Sequence, residues 1–169
     1  MSAITAGEQF PGGVKFEWAP ITSPDPSVCG IPQTYDASEE FKNKKVVLIS
    51  VPGAFTPGCH ANHVPPYMKD FSKLQEKGVD LVVVIGFNDA FVMNGWGKVN
   101  GAGPDSKVLF MSDTKSHFAK SMGWMAGVGE RNARFAMIIE KSGIVTYAEK
   151  EDSIGGVSVS GADAVLAKL

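Results

Sequence analysis

One short segment of the sequence concentrates side chains that could do chemistry. Cys59 follows Thr56 by three residues, and histidines stand at positions 60 and 63. These residue types are compatible with three kinds of site: a packed and inert thiol, a metal centre, or a nucleophile whose thiolate attacks a substrate. The residue types alone leave all three open, so the spacing and the surrounding elements have to separate them.

The spacing argues against a metal centre. Structural zinc sites use paired cysteines or histidines at short intervals, and the other cysteine, Cys29, has no such partner beside it. A thioredoxin-type disulfide would need a second cysteine three residues after Cys59, but that position is Asn62. We therefore expect no metal and no other cofactor, and Cys59 acts either alone or with the distant Cys29.

The predicted elements around Cys59 favour a reactive thiol. The run 44–51 is apolar and rich in β-branched residues, which predicts a strand buried on both faces, and Pro52 ends it. Ligands of open α/β sheets bind beyond the carboxyl ends of such strands, and a thiolate at a helix N-terminus is stabilised by backbone N–H groups. Pro52 and Pro57 stiffen the turn, and Thr56 can direct its hydroxyl at Cys59 or at a substrate oxygen.

The rest of the chain predicts alternating strands and helices. Residues 1–44 are rich in Pro, Gly, Asp and Ser, and we expect them to be irregular, with Cys29 on a loop. Asp113 and Ser160 are the expected caps of the last two helices. Strands are predicted over 79–88, 106–113, 134–140 and 144–150, the last two as a hairpin, and helices over 65–78, 89–100, 114–124 and 160–169.

This order of elements predicts one α/β domain over residues 1–169, with helices flanking a central sheet. A net charge of −2 with no polybasic stretch argues against nucleic acid as a partner. The N-terminus has no secretory pattern, and no apolar run is long enough to span a membrane. Two cysteines fit a reducing compartment, so we expect a cytoplasmic protein.

The C-terminal residues offer a second location. Ala167, Lys168 and Leu169 are close to the Ser-Lys-Leu address that directs proteins to peroxisomes. The same residues could equally finish an amphipathic helix. The sequence therefore leaves two locations open, the cytoplasm and the peroxisome.

Pro52, Thr56 and Cys59 form the pattern P-x-x-x-T-x-x-C, through which the chain resembles a peroxiredoxin. The segments PGAFTPGC, HVP, FNDAFVMNGWGK and RFAMIIE narrow the resemblance to the peroxiredoxin-5 branch, which includes plant type II enzymes and fungal alkyl hydroperoxide reductases. The resemblance implies a thioredoxin-like fold with a central mixed sheet. It also implies a peroxidase for hydrogen peroxide and alkyl hydroperoxides that needs no metal or haem.

The same resemblance implies roles for individual residues. Cys59 would be the peroxidatic cysteine, Pro52 and Thr56 would shape the peroxide pocket, and Arg134 would supply a guanidinium, with Arg131 as a nearby competitor for that role. Among the histidines, we expect His63 to help fix the pocket and His60 to be solvated. The alternative function is a redox sensor that uses the same cysteine to relay oxidation to a partner without turnover.

Regeneration of Cys59 would need a second thiol. By resemblance to the yeast alkyl hydroperoxide reductase, Cys29 would be the resolving cysteine, and we favour a disulfide between Cys29 and Cys59 of two subunits in a homodimer. The alternative is that an external thiol resolves Cys59 directly. No cysteine follows Cys59, which excludes the C-terminal resolving scheme of the animal enzyme. Thioredoxin or glutaredoxin would supply the electrons.

Overall fold

The centre of the structure is one mixed sheet of seven strands. The computed structural model describes residues 2–169. The strands are β1 (Lys15–Trp18), β2 (Gln33–Asp36), β3 (Val46–Val51), β4 (Leu81–Gly86), β5 (Val108–Ser112), β6 (Phe135–Ile139) and β7 (Val145–Lys150). Their order across the sheet is β2-β1-β5-β4-β3-β6-β7. β3 runs parallel to β4 and β4 to β5, whereas β1, β2, β6 and β7 pair antiparallel with their neighbours.

Helices cover both faces of this sheet. They are α1 (Ala37–Glu40), α2 (Val64–Lys69), α3 (Phe71–Glu76), α4 (Ala90–Val99), α5 (His117–Ser121) and α6 (Ala162–Leu166). Side chains of α2, α3, α4 and α6 pack with one set of strand residues into one apolar cluster, and side chains of α1 and α5 pack with the alternate set into another. Because successive strand residues point to opposite faces, β3 contributes to both clusters and is fully buried. The predicted α/β architecture is confirmed.

The first 44 residues are more regular than predicted. They contain β1, β2 and α1. The residues before β1 are irregular as expected, and so is the loop between β1 and β2, which carries Cys29. β1 pairs with β2 so that Phe16 lies opposite Tyr35, and both rings are buried. The prediction failed because each strand has only four residues, too few for alternation to stand out among the prolines and glycines. Met1 lies outside the described residues.

The helix predicted over 65–78 begins earlier and is divided. A π-helical turn spans Cys59–His63, and its wide geometry is closed by the backbone N–H of Val64 donating to the carbonyl of Cys59. Pro65 and Pro66 follow, and neither has an N–H with which to continue α-helical bonding from the turn. The chain then breaks again at Asp70, between α2 and α3.

The two predicted caps have different outcomes. The carboxylate of Asp113 accepts hydrogen bonds from the backbone N–H groups of Phe118 and Ala119 at 2.9 and 3.0 Å, so it does cap the helical segment. That segment is irregular at its start, where a 3₁₀ turn, Thr114–Ser116, precedes α5. Ser160 is not the cap of α6, because Gly161 holds that position without a side-chain hydrogen bond. Among residues 2–169 no helix has the length and apolarity that a membrane crossing requires.

Asp113→Ala tests how much the buried cap stabilises the fold. The carboxylate is 1% exposed and also accepts from Asn132 Nδ2 at 3.0 Å, so its removal leaves three buried donors without their acceptor. We expect the free energy of unfolding to fall by about 2–4 kcal/mol. Urea denaturation measures it, with the exposed Asp105→Ala as control. Equal stability losses in the two variants would contradict this account of the cap.

Candidate active site

Cys59 lies just beyond the carboxyl end of β3, at the first residue of the π-helical turn. Its side chain is 1% exposed. The loop that leads to it is clamped by Arg131, whose Nη1 donates to the carbonyl of Pro52 at 3.0 Å while the guanidinium lies over the ring of Phe87. A Cβ at Gly53 would displace Arg131 Nη1 from its present position, so the glycine lets the guanidinium approach the loop this closely.

In the described part of the chain, Arg134 is the one residue whose side chain donates a hydrogen bond to the sulfur of Cys59. Its Nη2 lies 3.4 Å from Cys59 Sγ and 3.1 Å from the carbonyl oxygen of Ile154. The arginine reaches the thiol because β6 pairs antiparallel with β3, with Phe135 opposite Ser50, so the residue before β6 lies beside the end of β3. Arg134 is only 3% exposed. The structure therefore brings Arg134 to the thiol and Arg131 to the backbone of the loop.

His63 holds the other side of the guanidinium. Its Nδ1 lies 2.9 Å from Arg134 Nη1, and its Nε2 lies 2.8 Å from the carbonyl oxygen of Ser160. A carbonyl oxygen only accepts, so Nε2 carries the proton and Nδ1 accepts from Arg134. Burial, and then the adjacent charge of Arg134, lower the pKa of His63 to about 4. The ring is therefore neutral at pH 7 and fixed in one tautomer.

Thr56 and Phe55 shape the loop above the thiol. Thr56 Oγ1 donates its hydrogen to the carbonyl of Gly53 at 2.8 Å, which leaves the lone pairs of the hydroxyl oxygen free to accept. Phe55 adopts a left-handed backbone conformation with φ of 59° and is half exposed. A left-handed conformation is unfavourable for a bulky residue. The half-exposed ring of Phe55 stacks on the imidazole of His60.

The prediction that His60 is solvated holds only in part, since its side chain is half-buried. Its Nδ1 accepts a hydrogen bond of 2.9 Å from Nε1 of Trp96, a fully buried side chain whose N–H needs an acceptor. His60 and His63 thus turn to different partners. Across residues 2–169 the structure brings together no group of three or more side chains of the types that bind metals.

Cys29 is exposed, in contrast to Cys59, and both thiols are free. The loop that carries it rests on α4, where Lys98 Nζ donates to the backbone carbonyls of Asp25 and Val28. The two cysteines predicted to react with each other are therefore found in different surroundings, one on a surface loop and one in the core.

Sequence reasoning missed Glu151 and the segment that follows it. The carboxylate of Glu151 is buried and accepts from the backbone N–H and the hydroxyl of Ser160. Its partners are two backbone N–H groups and two serine hydroxyls of a loop, and a serine on a loop does not by itself indicate a buried acceptor. The one available signal was a single acidic residue ahead of a stretch rich in serine and glycine.

Comparison with known proteins shows which family the chain resembles. The family model described as Redoxin matches residues 5–166. Peroxiredoxin Pen c 3 of Penicillium citrinum is 46% identical over 169 residues and 99% of each chain, and putative peroxiredoxin prxA of Emericella nidulans is 44% identical over the whole of both. A relative from Lipomyces kononenkoae, 43% identical over 96% of this chain and 99% of its own, is described as a putative peroxisomal peroxiredoxin.

Solved structures agree with these matches. Reduced Prx3 from Vibrio vulnificus, in complex with H₂O₂, superposes with a TM-score of 0.81 at 35% identity, covering 97% of this chain and 98% of that one. Peroxiredoxin 5 from Alvinella pompejana superposes with a TM-score of 0.73 at 26% identity, over 98% and 97% of the two chains. The predicted thioredoxin-like fold with its mixed sheet is confirmed.

His63→Gln tests the buried neutral imidazole through the pH dependence of stability. The pKa of His63 is about 4 in the folded protein and near 6.5 when unfolded, so between these values only the unfolded state takes up the proton. The free energy of unfolding should therefore fall by about 2 kcal/mol from pH 7 to pH 5 because of this residue. In His63→Gln, this contribution to the pH dependence of the free energy of unfolding is absent.

Urea denaturation at pH 7, 6 and 5 measures the effect. The matched control is His117→Gln, which replaces an exposed histidine and should keep the native slope. Identical slopes in the native protein and His63→Gln would show that His63 is not buried in its neutral form.

Proposed function

Because this chain belongs to the redoxin family, and within it to the peroxiredoxins of the peroxiredoxin-5 type, we propose that it reduces peroxides through the sulfur of Cys59. The protein is a thiol-dependent peroxidase. The observation that carries the assignment of Cys59 is the buried guanidinium of Arg134, with Nη2 at 3.4 Å from the sulfur. A redox sensor without turnover is not favoured.

The charge of Arg134 supports a thiolate at Cys59. A guanidinium does not lose its proton at accessible pH, and a buried charge is costly unless a group of opposite charge offsets it. Within residues 2–169, no carboxylate forms an ion pair with Arg134. Its neighbours are a neutral imidazole, a carbonyl oxygen and the sulfur of Cys59. Cys59 is the neighbour that can become an anion, and in our proposal it reacts as one.

The reaction begins with attack of the Cys59 thiolate on one peroxide oxygen. A sulfur–oxygen bond forms as the oxygen–oxygen bond breaks, and the other oxygen leaves with the electron pair, takes up a proton and departs as water or an alcohol. Arg134 stabilises the negative charge on the leaving oxygen. Its Nη2, at 3.4 Å from the sulfur, is the donor placed for that oxygen. Thr56 Oγ1 donates its own hydrogen to the carbonyl of Gly53, so its oxygen can accept a hydrogen bond from the O–H group of the peroxide.

Recycling starts from the sulfenic acid on Cys59. A second thiol attacks that sulfur, a disulfide forms and water leaves, and a reduced dithiol protein then restores both cysteines. We propose Cys29 of the other subunit of a homodimer as that thiol, and thioredoxin or glutaredoxin as the reductant. The exposure of Cys29 on a surface loop supports this. Cys59 is buried, so the π-helical turn has to open before any second thiol can reach it.

We further propose that residues 1–169 form one peroxiredoxin domain, which works in the cytoplasm or the peroxisome in antioxidant defence. Two observations support the peroxisome: one relative is described as peroxisomal, and Ala167 and Lys168 are exposed. Leu169 is partly buried against the core, so an import receptor could read it only after it left that contact.

Cys59→Ser and Arg134→Met test the chemistry. The serine variant should lose peroxide consumption entirely, since an alcohol does not replace a thiolate. Arg134→Met should lower the rate constant for the reaction of Cys59 with peroxide by about 10²–10³-fold, because charge on the leaving oxygen is no longer stabilised. Stopped-flow kinetics with stoichiometric peroxide measure both.

Arg131→Met is the comparison for Arg134→Met, since Arg131 contacts the carbonyl of Pro52 and not the sulfur. The factor by which Arg131→Met lowers the rate constant for the reaction with peroxide should be at least about tenfold smaller than the factor for Arg134→Met. If the two arginine variants were equally slow, the role assigned to Arg134 would be wrong.

Cys29→Ser tests the proposed recycling. After stoichiometric peroxide, the native protein should run as a covalent dimer on non-reducing electrophoresis, and Cys29→Ser should stay monomeric while still consuming its first equivalent of peroxide. A native protein that remains monomeric but loses both free thiols would place the disulfide within one chain. Loss of one thiol alone would mean that an external thiol resolves Cys59.

A further inference from the structure

A buried carboxylate lies behind the thiol site. Glu151, directly after β7, is 5% exposed. Its Oε1 accepts from the backbone N–H groups of Val159 and Ser160 and from Ser160 Oγ, and its Oε2 accepts from Ser158 Oγ, each at 2.8 Å. Burial disfavours the charged form, but the hydrogen bonds from Ser160 and Ser158 outweigh it and lower the pKa of Glu151 to about 2. The carboxylate is ionised and fully engaged.

These bonds fix the carbonyl of Ser160. That oxygen accepts from His63 Nε2 at 2.8 Å and from the hydroxyl of Tyr67 at 2.6 Å. Glu151 binds the N–H and the side chain of the same residue, so Ser160 is held from both sides. The position of this carbonyl therefore depends on Glu151.

The carbonyl of Ser160 in turn decides which way His63 presents its nitrogens. A neutral imidazole has one N–H, and with that proton on Nε2 the other nitrogen accepts from Arg134 Nη1. Without the Ser160 carbonyl, the proton could move to Nδ1, and two N–H groups would then face each other at 2.9 Å. Arg134 would lose its partner and its orientation towards Cys59.

Glu151 also belongs to the segment that binds Arg134 directly. The backbone N–H of Glu151 donates to the carbonyl of Arg134 at 2.9 Å, and Ile154, three residues on, provides the carbonyl that accepts from Arg134 Nη2. The segment 151–160 thus contacts the arginine at its backbone, at its guanidinium and, through His63, at its other nitrogen.

We propose that Glu151 is a positioning residue that acts through Ser160 and His63 to hold the Arg134 guanidinium against Cys59. It touches neither the sulfur nor the peroxide. Its effect is to make Cys59 selective for peroxides, because Arg134 stabilises the oxygen that leaves a peroxide. Electrophiles with a leaving group that does not depend on Arg134 gain no such advantage. The kinetic part of this inference rests on the proposed peroxidase function, whereas the orientation of His63 does not.

The kinetic test is the ratio of two rate constants for reduced Cys59, one with hydrogen peroxide and one with iodoacetamide. The thiolate fraction affects both reactions, so the ratio removes it and reports the stabilisation that peroxide alone receives. A change in access to the sulfur is recognised in the Arg134→Met background described below, where it would persist. Glu151→Gln keeps the shape but weakens the bonds, and the ratio should fall about threefold; Glu151→Ala removes them, and it should fall about tenfold or more. Glu149→Gln, an exposed glutamate of β7, is the matched control and should leave the ratio unchanged.

A second comparison separates positioning from general loosening. In an Arg134→Met background, Glu151→Gln should lower the peroxide rate no further, because its effect passes through the missing guanidinium. A further loss of the same size as in the native background would mean that Glu151 acts on the fold in general, and would overturn the proposal.

Nuclear magnetic resonance of the imidazole ¹⁵N nuclei gives a readout independent of peroxide. Native His63 should show a neutral ring with the proton on Nε2, and Glu151→Gln should show part of the population with the proton on Nδ1. If native Cys59 reacted with peroxide no faster than free cysteine, the peroxidase function would fail and this spectrum alone would decide the role of Glu151. A native tautomer retained in Glu151→Gln, with a ratio within twofold of native, would overturn the inference.

Discussion

The site is organised around the cost of burying a guanidinium with which no carboxylate of residues 2–169 forms an ion pair. Arg134 is 3% exposed and always charged, so it is stable in this place only if its neighbours take up its donors and offset its charge. A neutral histidine and a backbone carbonyl take up donors, and the sulfur of Cys59 is the neighbour that can carry the opposite charge. One interaction thus connects the reactivity of the thiol with the stability of the fold.

Three distant parts of the chain have to meet for this interaction to form. β3 delivers Cys59, its antiparallel neighbour β6 delivers Arg134, and the segment after β7 delivers the carbonyls that fix the arginine and His63. The same burial that pairs the thiol with Arg134 also keeps a second thiol away. In the proposed cycle, reaction with peroxide and formation of a disulfide therefore place opposite demands on the π-helical turn, which is closed for the first and open for the second.

The sequence was informative where a residue type carries the chemistry by itself. Cys59, Thr56 and Pro52 stood out through their spacing, and the buried strands β3 and β4 through their apolar runs. Arg134 came from a family resemblance, since nothing local distinguishes it from Arg131; only the pairing of β6 with β3 separates their positions.

Features that depend on tertiary contacts could not be predicted. Ser160 was expected to cap a helix, yet its hydroxyl and N–H bind Glu151 and its carbonyl binds His63. His60 was expected to be solvated, but the indole N–H of Trp96, 36 residues away, requires it as an acceptor. In both cases one partner lies far away in the sequence, His63 for Ser160 and Trp96 for His60, and its position is set by tertiary packing.

The most direct test of the account is a single turnover of the native, fully reduced protein with stoichiometric hydrogen peroxide, followed by stopped-flow fluorescence and mass spectrometry. We expect a second-order rate constant at least about 10³-fold above that of free cysteine, with one oxygen atom first added at Cys59. A rate no greater than that of free cysteine, or oxidation that begins at the exposed Cys29, would contradict it.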